Sequence, residues 1–588
     1  MPFLKSYTPR KSLQPTSVSS HSNGVTKCSG WQLACSLALA GELPSSEVVA
    51  APRQKATRNI RRMALMTTLG DISRVGARTY PDAEAVVFEN SRFTYREFDK
   101  RINRLANVLA RLGTAKRDRV AILAENTHKY LEVYLGAAKA GLVTAPLNFR
   151  LSHDELEHIL RDSEAKVVLV GEGYEATAQA LLDEVDSVRT WIGLDTEFGG
   201  HSYEKLLARS SDSDPLVTLD ENELAVLMYT GGTTGTPKGV MLSHRNILAS
   251  LRSLCEQNQI TALDTTCMVL PLFHVSFWPA FCCLKMGGKV VVIRRPDILR
   301  TLNSIQQERC THINAVPTLY AWLITFPDLD RFDLSSVRLM SYAGSPMPES
   351  ILQKCISKFG NRLAQGYGLT ETSPAVSELM PEDHVLAGPR AKLLKSVGRS
   401  LPGIEVRVVD GSGAPLKPGE TGEIAVRGEN VLMGYWKNPR LTAEKLRDGW
   451  LHTADIGYMD EEGYIYLVDR KSDMIITGGE NVYPKETENV LYSHPAVQEC
   501  AVTSAPDENW GERVQAAVVL KAGVAASEKE LIEFCKSKLA GYKCPKKIEF
   551  WQQLPKTPVG KIMRKDVKAK FWGEAARNYS SHAASSTD

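Results

Sequence analysis

Residues 228–239 read Met-Tyr-Thr-Gly-Gly-Thr-Thr-Gly-Thr-Pro-Lys-Gly. Gly231, Gly232 and Gly235 let main chain come close to an anion. The hydroxyls of Thr230, Thr233, Thr234 and Thr236 add donors, and Lys238 adds charge. The apolar run Leu224 to Tyr229 before them reads as a buried strand. Ser243 is expected to cap a helix with Ile247, Leu248, Leu251 and Leu254 on one face. Strand, small-residue loop and helix would present backbone N–H groups to a phosphate. The loop is not a Walker A loop, which ends in Gly-Lys-Ser/Thr; here Pro237 precedes Lys238 and Gly239 follows it.

Other small, polar stretches follow at intervals. Ala343-Gly344-Ser345-Pro346-Met347-Pro348 comes after the apolar run Val337 to Tyr342. Gly366-Tyr367-Gly368-Leu369-Thr370-Glu371-Thr372 comes after Asn361 to Gln365. His274 ends Met268 to His274, expected to be one apolar strand. Repeated strand-to-loop openings suggest one cleft lined by several strand ends. Further on stand Thr453-Ala-Asp455-Ile-Gly457, Asp469-Arg470-Lys-Ser-Asp473, Ile476-Thr-Gly478-Gly479-Glu480-Asn-Val-Tyr-Pro484, Pro506-Asp-Glu-Asn-Trp510-Gly-Glu-Arg-Val514 and Pro555-Lys-Thr-Pro-Val-Gly-Lys561-Ile-Met-Arg564.

In that order, from about Thr68 to Lys570, these motifs resemble those of the adenylate-forming enzymes: acyl-CoA synthetases, peptide-synthetase adenylation domains and luciferases. The resemblance is nearest to fatty-acyl-CoA synthetases. It implies that residues 230–238 bind the phosphates of ATP and that Gly344, Ser345 and Pro346 lie against the adenine edge. By it Tyr367, between Gly366 and Gly368, stacks on adenine, Thr370 contacts the α-phosphate, and Glu371, with Thr234, holds Mg²⁺. Carboxylate oxygen suits that hard cation. It further implies that Asp455 binds the ribose hydroxyls with help from Arg470, and that Lys561 bridges the substrate carboxylate and the α-phosphate. His274 would sit beside the substrate carboxylate and the thiol path. Gly478, Gly479 and Glu480 would line the pantetheine channel of coenzyme A, near Trp510. Ser472 stands at the hinge position, where many relatives carry Asp or Lys. Val275, Phe277, Trp278, Tyr342 and Leu369 are expected to line an apolar tunnel.

The implied chemistry is coherent. A carboxylate has a poor leaving group; joined to the α-phosphate of ATP it becomes an acyl-adenylate, from which AMP leaves readily. A mobile lysine would offset charge growing at phosphorus. The expected activity is therefore ATP-dependent ligation of a fatty or other apolar carboxylic acid to CoA. Two alternatives stay open: an adenylate ligase acting on an aromatic or alicyclic acid or delivering to a carrier protein, and a nucleotide-binding protein that has lost the reaction.

The elements that must hold these residues read as α/β. Strands at Ala85–Phe88, Arg119–Leu123 and Lys166–Val170 alternate with helices at Tyr95–Leu112 and Tyr130–Ala140, which implies mostly parallel sheet covered by helices. From Pro402, short strands between Gly/Pro turns imply a small antiparallel module. The last hundred residues imply a small, mobile α+β domain. The expected division is 1–62 as an extension, 63–469 as the large domain, 470–571 as the lid and 572–588 as a tail.

A chain of 588 residues exceeds one hydrophobic core. Net charge of +3 gives no argument for nucleic acid. No apolar run is long enough for an integral membrane helix. The 11 cysteines, without a Cys-x-x-Cys pair, read as reduced intracellular thiols, so a cytoplasmic location is expected. Residues 1–62 are Ser/Thr-rich and basic, with Glu42 and Glu47 as their only acids. They fit an organellar transit peptide, less well a secretory signal, and best a disordered extension or an upstream start before Met63 or Met66. The partners expected are the acid, ATP and CoA, with a homodimer allowed.

Overall fold

The structure is a computed structural model. It describes residues 66–230, 237–344, 347, 349–470, 473–477, 480–507, 510–556 and 562–573. Among these residues the chain builds four sheets.

The largest has nine strands in the order Arg399–Ser400, Ser377–Leu379, Leu363–Tyr367, Leu339–Tyr342, His312–Ala315, Thr265–Met268, Lys289–Val292, Glu84–Phe88 and Ser91–Thr94. The six from Leu363–Tyr367 to Glu84–Phe88 run parallel, and antiparallel strands close both edges. The second has seven strands: Gly434–Tyr435, Lys238–Ser243, Leu224–Thr230, Val143–Pro146, Arg119–Leu123, Ala165–Val170 and Thr190–Gly193. Val, Ile and Leu fill the parallel strands because both faces are covered. The helix His128–Lys139 shows the consequence: all its residues are buried, and it touches strands of both sheets. Its neighbour Tyr95–Arg111 is one-sided, burying Phe98, Ile102, Leu105, Val108 and Leu109. Thr94 and Glu97 close its first turn as a reciprocal capping box.

The third sheet is the expected antiparallel module: Glu405–Val409, Gly422–Arg427, Trp450–Met459 and Leu446–Arg447, with Ile465–Arg470 beside Trp450–Met459. The fourth holds Glu480–Val482, Ile475–Thr477, Gly511–Leu520, Val497–Asp507 and Lys547–Phe550, backed by the helices Pro484–Tyr492 and Glu528–Lys536. A helix over 564–573 closes this region, and Trp572 Nε1 donates to the Ser504 carbonyl at 3.1 Å. The fold is α/β with mostly parallel sheets in the large N-terminal part and a small α+β C-terminal part. The nine cysteines among the described residues are all buried and free. No helix among the described residues is long and apolar enough to cross a membrane.

Two expectations need correction. The loop at 231–236 does not lead straight into the helix that Ser243 caps: the strand Lys238–Ser243 intervenes, antiparallel to Leu224–Thr230 with Thr230 opposite Lys238. Val240 and Leu242 are fully buried, so this short run goes to the sheet. The helix itself stands where expected, at His244–Gln257, with Ser243 as its cap. Met268 to His274 is also not one strand. It ends at Met268; Pro271 lacks an N–H for a ladder, and the chain turns, with His274 N–H donating to the Pro271 carbonyl at 3.1 Å. A 3₁₀ turn, Val275–Phe277, and the helix Trp278–Met286 follow.

Candidate active site

The phosphate-loop expectation falls mostly outside the described residues: Gly231, Gly232, Thr233, Thr234, Gly235 and Thr236 are not described, nor are Ser345, Pro346, Ser472, Gly478, Gly479 and Lys561. What is described are the elements that flank them in sequence. Thr230 and Lys238 face each other at the mouth of the 231–236 connection. The base of that hairpin is braced from outside. Tyr229 donates its hydroxyl to Asp162 Oδ2 at 2.6 Å, and Trp436 donates its main-chain N–H to Gly239 O at 2.8 Å and its indole N–H to Asp162 O at 2.9 Å. A Cβ at Gly239 would press on Leu227 Cδ1 at 2.9 Å, so glycine is what lets the hairpin close there.

The second motif leaves the sheet at Tyr367. Gly368 follows, where a Cβ would overlap the Pro374 carbonyl; only glycine fits that doubled-back chain. Thr370–Thr372 then forms a single 3₁₀ turn, and Ser373 takes a left-handed φ of 57°. The turn is held from several sides. Asn430 Nδ2 donates to the carbonyls of Thr372 at 2.8 Å and Ala375 at 2.7 Å, and Ser250 donates to the Ser373 carbonyl. Leu432 N–H donates to the Glu371 carbonyl at 2.8 Å, and the Tyr435 hydroxyl donates to Glu371 Oε1 at 2.9 Å. Burial, then the nearby Glu371 charge, pushes the Tyr435 hydroxyl far above the usual phenol range. Tyr435 also pairs with Val240, so the Glu371 turn lies against the loop-bearing hairpin. Gly344, at a φ of 84°, turns the chain out of the neighbouring strand Leu339–Tyr342.

The antiparallel module supplies the third part. The Tyr367 hydroxyl donates to Asp455 Oδ2 at 2.7 Å. Asp455 is 5% exposed. It follows Ala454, a non-glycine residue at a φ of 63° inside the Trp450–Met459 strand. The ladder slips here, and the Ala454 N–H donates to the side-chain oxygen Glu423 Oε1 of the adjoining strand Gly422–Arg427 at 2.9 Å. Such a bulge turns the next side chain out of the regular alternation. Arg470 stands opposite Asp455 in the adjoining strand.

Beyond Arg470 lies an ion cluster that motif reading did not find. Arg564, three residues after Lys561, sends Nη1 to Asp469 Oδ1 and to Asp473 Oδ2, both at 3.0 Å. Its Nε donates to Glu488 Oε1 at 2.8 Å, and Nη2 donates to the other oxygen of that carboxylate. The Lys485 N–H donates to Asp469 Oδ2 at 2.7 Å. Burial holds the Lys485 ammonium below its ordinary range, partly offset by Asp469.

The remaining expected residues lie apart from that convergence or beside it. His274 is half-buried in its turn. Glu480 pairs with Thr477 in the C-terminal sheet. Trp510 is 56% exposed, with its main-chain N–H on Asp507 Oδ1 at 3.2 Å. Phe277 and Trp278, expected to line a tunnel, are fully buried, with ring centroids 4.3 Å apart, and pack on Tyr134 and Phe281. The Tyr342 hydroxyl is 3.2 Å from Gln365 Oε1 and 3.1 Å from His384 Nε2. Tyr435, Asn430 and Trp436 act on the site from outside any recognised motif, with the Gly-Tyr-Trp run at 434–436 as the one available signal; Arg564 closes the Lys561 motif, where no role was expected of it.

Among the described residues no group of three or more His, Cys, Asp and Glu could hold a metal by itself. One oxygen of Glu371 accepts from Tyr435, which leaves the other for a cation. One carboxylate completed by phosphate oxygens and water is a donor set that Mg²⁺ accepts.

Residues 74–436 match the family described as "AMP-binding enzyme", and residues 486–561 match "AMP-binding enzyme C-terminal domain". A feruloyl-CoA synthase from an Amycolatopsis species is 38% identical over 84% of this chain and 97% of its own length. The long-chain-fatty-acid–CoA ligase FadD13 of Mycobacterium tuberculosis is 35% identical over 86% and 99%. ATP-bound MatB from Rhodopseudomonas palustris superposes with a TM-score of 0.78 at 30% identity, covering 85% of this chain and 99% of that one. The chain therefore belongs to the AMP-binding, adenylate-forming enzyme family with its C-terminal domain, and within it to the acyl-CoA synthetases.

Proposed function

We propose that the protein activates an apolar carboxylic acid in two steps. The acid attacks the α-phosphorus of ATP, giving acyl-adenylate and pyrophosphate; the thiol of CoA then displaces AMP to give the acyl thioester. The observation that carries this reading is the Tyr367–Asp455 hydrogen bond, which joins the adenine-side motif to the ribose-side carboxylate although they lie on different sheets. Thr230, Lys238 and the loop between them would hold the phosphates, Glu371 with Thr234 would hold Mg²⁺, and Asp455 with Arg470 would hold the ribose. Mg²⁺ supplies charge neutralisation on the phosphates when bound. Lys561 would neutralise charge at phosphorus from a C-terminal lid beginning near residue 470, with Ser472 as hinge, and His274 would face the acid. Gly478, Gly479, Glu480 and Trp510 would border the path of CoA.

A fatty acid is the first substrate class and an aromatic acid the second. The second is favoured by the feruloyl-CoA synthase, the more identical of the two named relatives. A panel of acids from C2 to C18 plus cinnamic and benzoic acids, assayed for AMP release and CoA consumption together, tests the reading. AMP release matched by CoA loss supports a CoA ligase; AMP release without CoA loss points to a carrier-protein acceptor. ATP binding without turnover on any acid would overturn the enzymatic reading.

A further inference from the structure

We propose that Tyr435 is a positioning residue that presents Glu371 to a divalent cation through one oxygen only, and thereby biases the site toward Mg²⁺ over Ca²⁺. The inference rests on the reading of Glu371 as the metal-holding carboxylate.

Glu371 is gripped at both ends by one short stretch. Its main-chain carbonyl accepts from Leu432 N–H at 2.8 Å, and its Oε1 accepts from the Tyr435 hydroxyl at 2.9 Å. Among the described residues Tyr435 is the only hydrogen-bond donor to that carboxylate. The tyrosine is itself fixed: it is 7% exposed, it pairs with Val240, and its N–H donates to Thr442 Oγ1 at 2.9 Å. The hydroxyl therefore stays in one place, and it sets the rotation of the carboxylate.

A phenol is a neutral donor at physiological pH. It occupies one oxygen without cancelling the negative charge, which an arginine or lysine there would do. The second oxygen then carries the interaction with a cation. Mg²⁺ requires near-octahedral geometry and takes one oxygen per carboxylate, whereas the larger Ca²⁺ accepts both oxygens at once. Holding Oε1 on Tyr435 works against the two-oxygen mode.

The test compares Tyr435→Phe and Glu371→Gln with the wild-type full-length protein. Mn²⁺ serves as the paramagnetic probe, titrated in the presence of a non-hydrolysable ATP analogue, with Mg²⁺ and Ca²⁺ as competitors. The expected result is a loss of Mn²⁺ and Mg²⁺ affinity on the order of 10-fold in Tyr435→Phe, the range typical for removing an outer partner of a metal ligand, with Ca²⁺ weakened less. A purely structural role for Tyr435 would weaken all three ions alike. If Glu371→Gln loses the metal while Tyr435→Phe keeps wild-type affinity and ion preference, the role of Tyr435 is overturned. If Glu371→Gln itself binds Mn²⁺ normally, the metal assignment of Glu371 fails, and this inference falls with it.

Discussion

The hydroxyl of Tyr367 and the carboxylate of Asp455 meet at 2.7 Å across 88 residues of chain. The tyrosine ends a strand of the nine-stranded sheet; the aspartate is turned inward by a bulge in the antiparallel module. A hydrogen bond to a charged acceptor contributes about 1.5–3 kcal/mol. Tyr367→Phe should therefore raise KM for ATP on the order of 10-fold with little change in kcat, since the ring remains. Tyr367→Ala should cost more. Steady-state ATP titration at saturating acid and CoA would show an unchanged KM if the pair has no part in nucleotide binding.

Lys561→Ala should nearly abolish acid-dependent exchange of labelled pyrophosphate into ATP. Loss of a group aimed at developing charge costs about 3–4 kcal/mol, a few hundredfold in rate. Transfer from supplied acyl-adenylate to CoA should survive in part. Near-normal exchange would remove Lys561 from the adenylation step.

Arg564 holds three carboxylates, Asp469, Asp473 and Glu488, with 21% of its side chain exposed. Removing one member of such a buried set leaves the others uncompensated, at a cost of about 3–5 kcal/mol in fully buried cases. Arg564→Met should sit at the low end of that range, seen as a fall in the urea midpoint. Glu488→Gln should cost less, because the amide oxygen can still accept from the Val502 N–H, now at 2.9 Å. Equal midpoints for wild type and Arg564→Met would show that the cluster contributes nothing to the fold.

Glu378 stands beside the site, paired with Gly366 and 6% exposed. Burial pushes its carboxyl up to about 7, against a hydrogen bond from Asn258 at 2.9 Å that lowers it. A raised carboxyl binds its proton more tightly in the folded chain than in the unfolded one. Stability is then greatest below the ordinary carboxylate range and falls as pH rises from about 4.5 to about 7, by on the order of 3 kcal/mol. Glu378→Gln should flatten that slope. Urea denaturation at intervals from pH 5 to 8 would refute this if both proteins show the same profile.

Much of the framework is legible from side-chain pattern. The strand Arg119–Leu123 falls where the pattern puts it, and the strands Glu84–Phe88 and Ala165–Val170 and the helix Tyr95–Arg111 fall within a residue of it. The misses have physical causes. Lys238–Ser243 is too short to show a period, so the glycine-rich loop was expected to lead directly to the helix capped by Ser243. Met268 to His274 is apolar because its turn is buried, and burial alone cannot separate turn from strand. At the site, Tyr367, Glu371 and Asp455 sit inside local motifs and were visible. Tyr435 was not, since it meets Glu371 over 64 residues of chain through a contact that only the tertiary fold creates.

The buried thiols have a use beyond packing. Cys500, Cys535 and Cys544 all lie in the hydrophobic core of the C-terminal part, while Cys255, Cys267, Cys282, Cys283, Cys310 and Cys355 lie in the larger part. None is accessible to a reagent until its own layer separates. With Cys28 and Cys35 replaced by serine, the chain would thus carry native chronometers, and the order in which thiols become alkylated would record which region comes apart first.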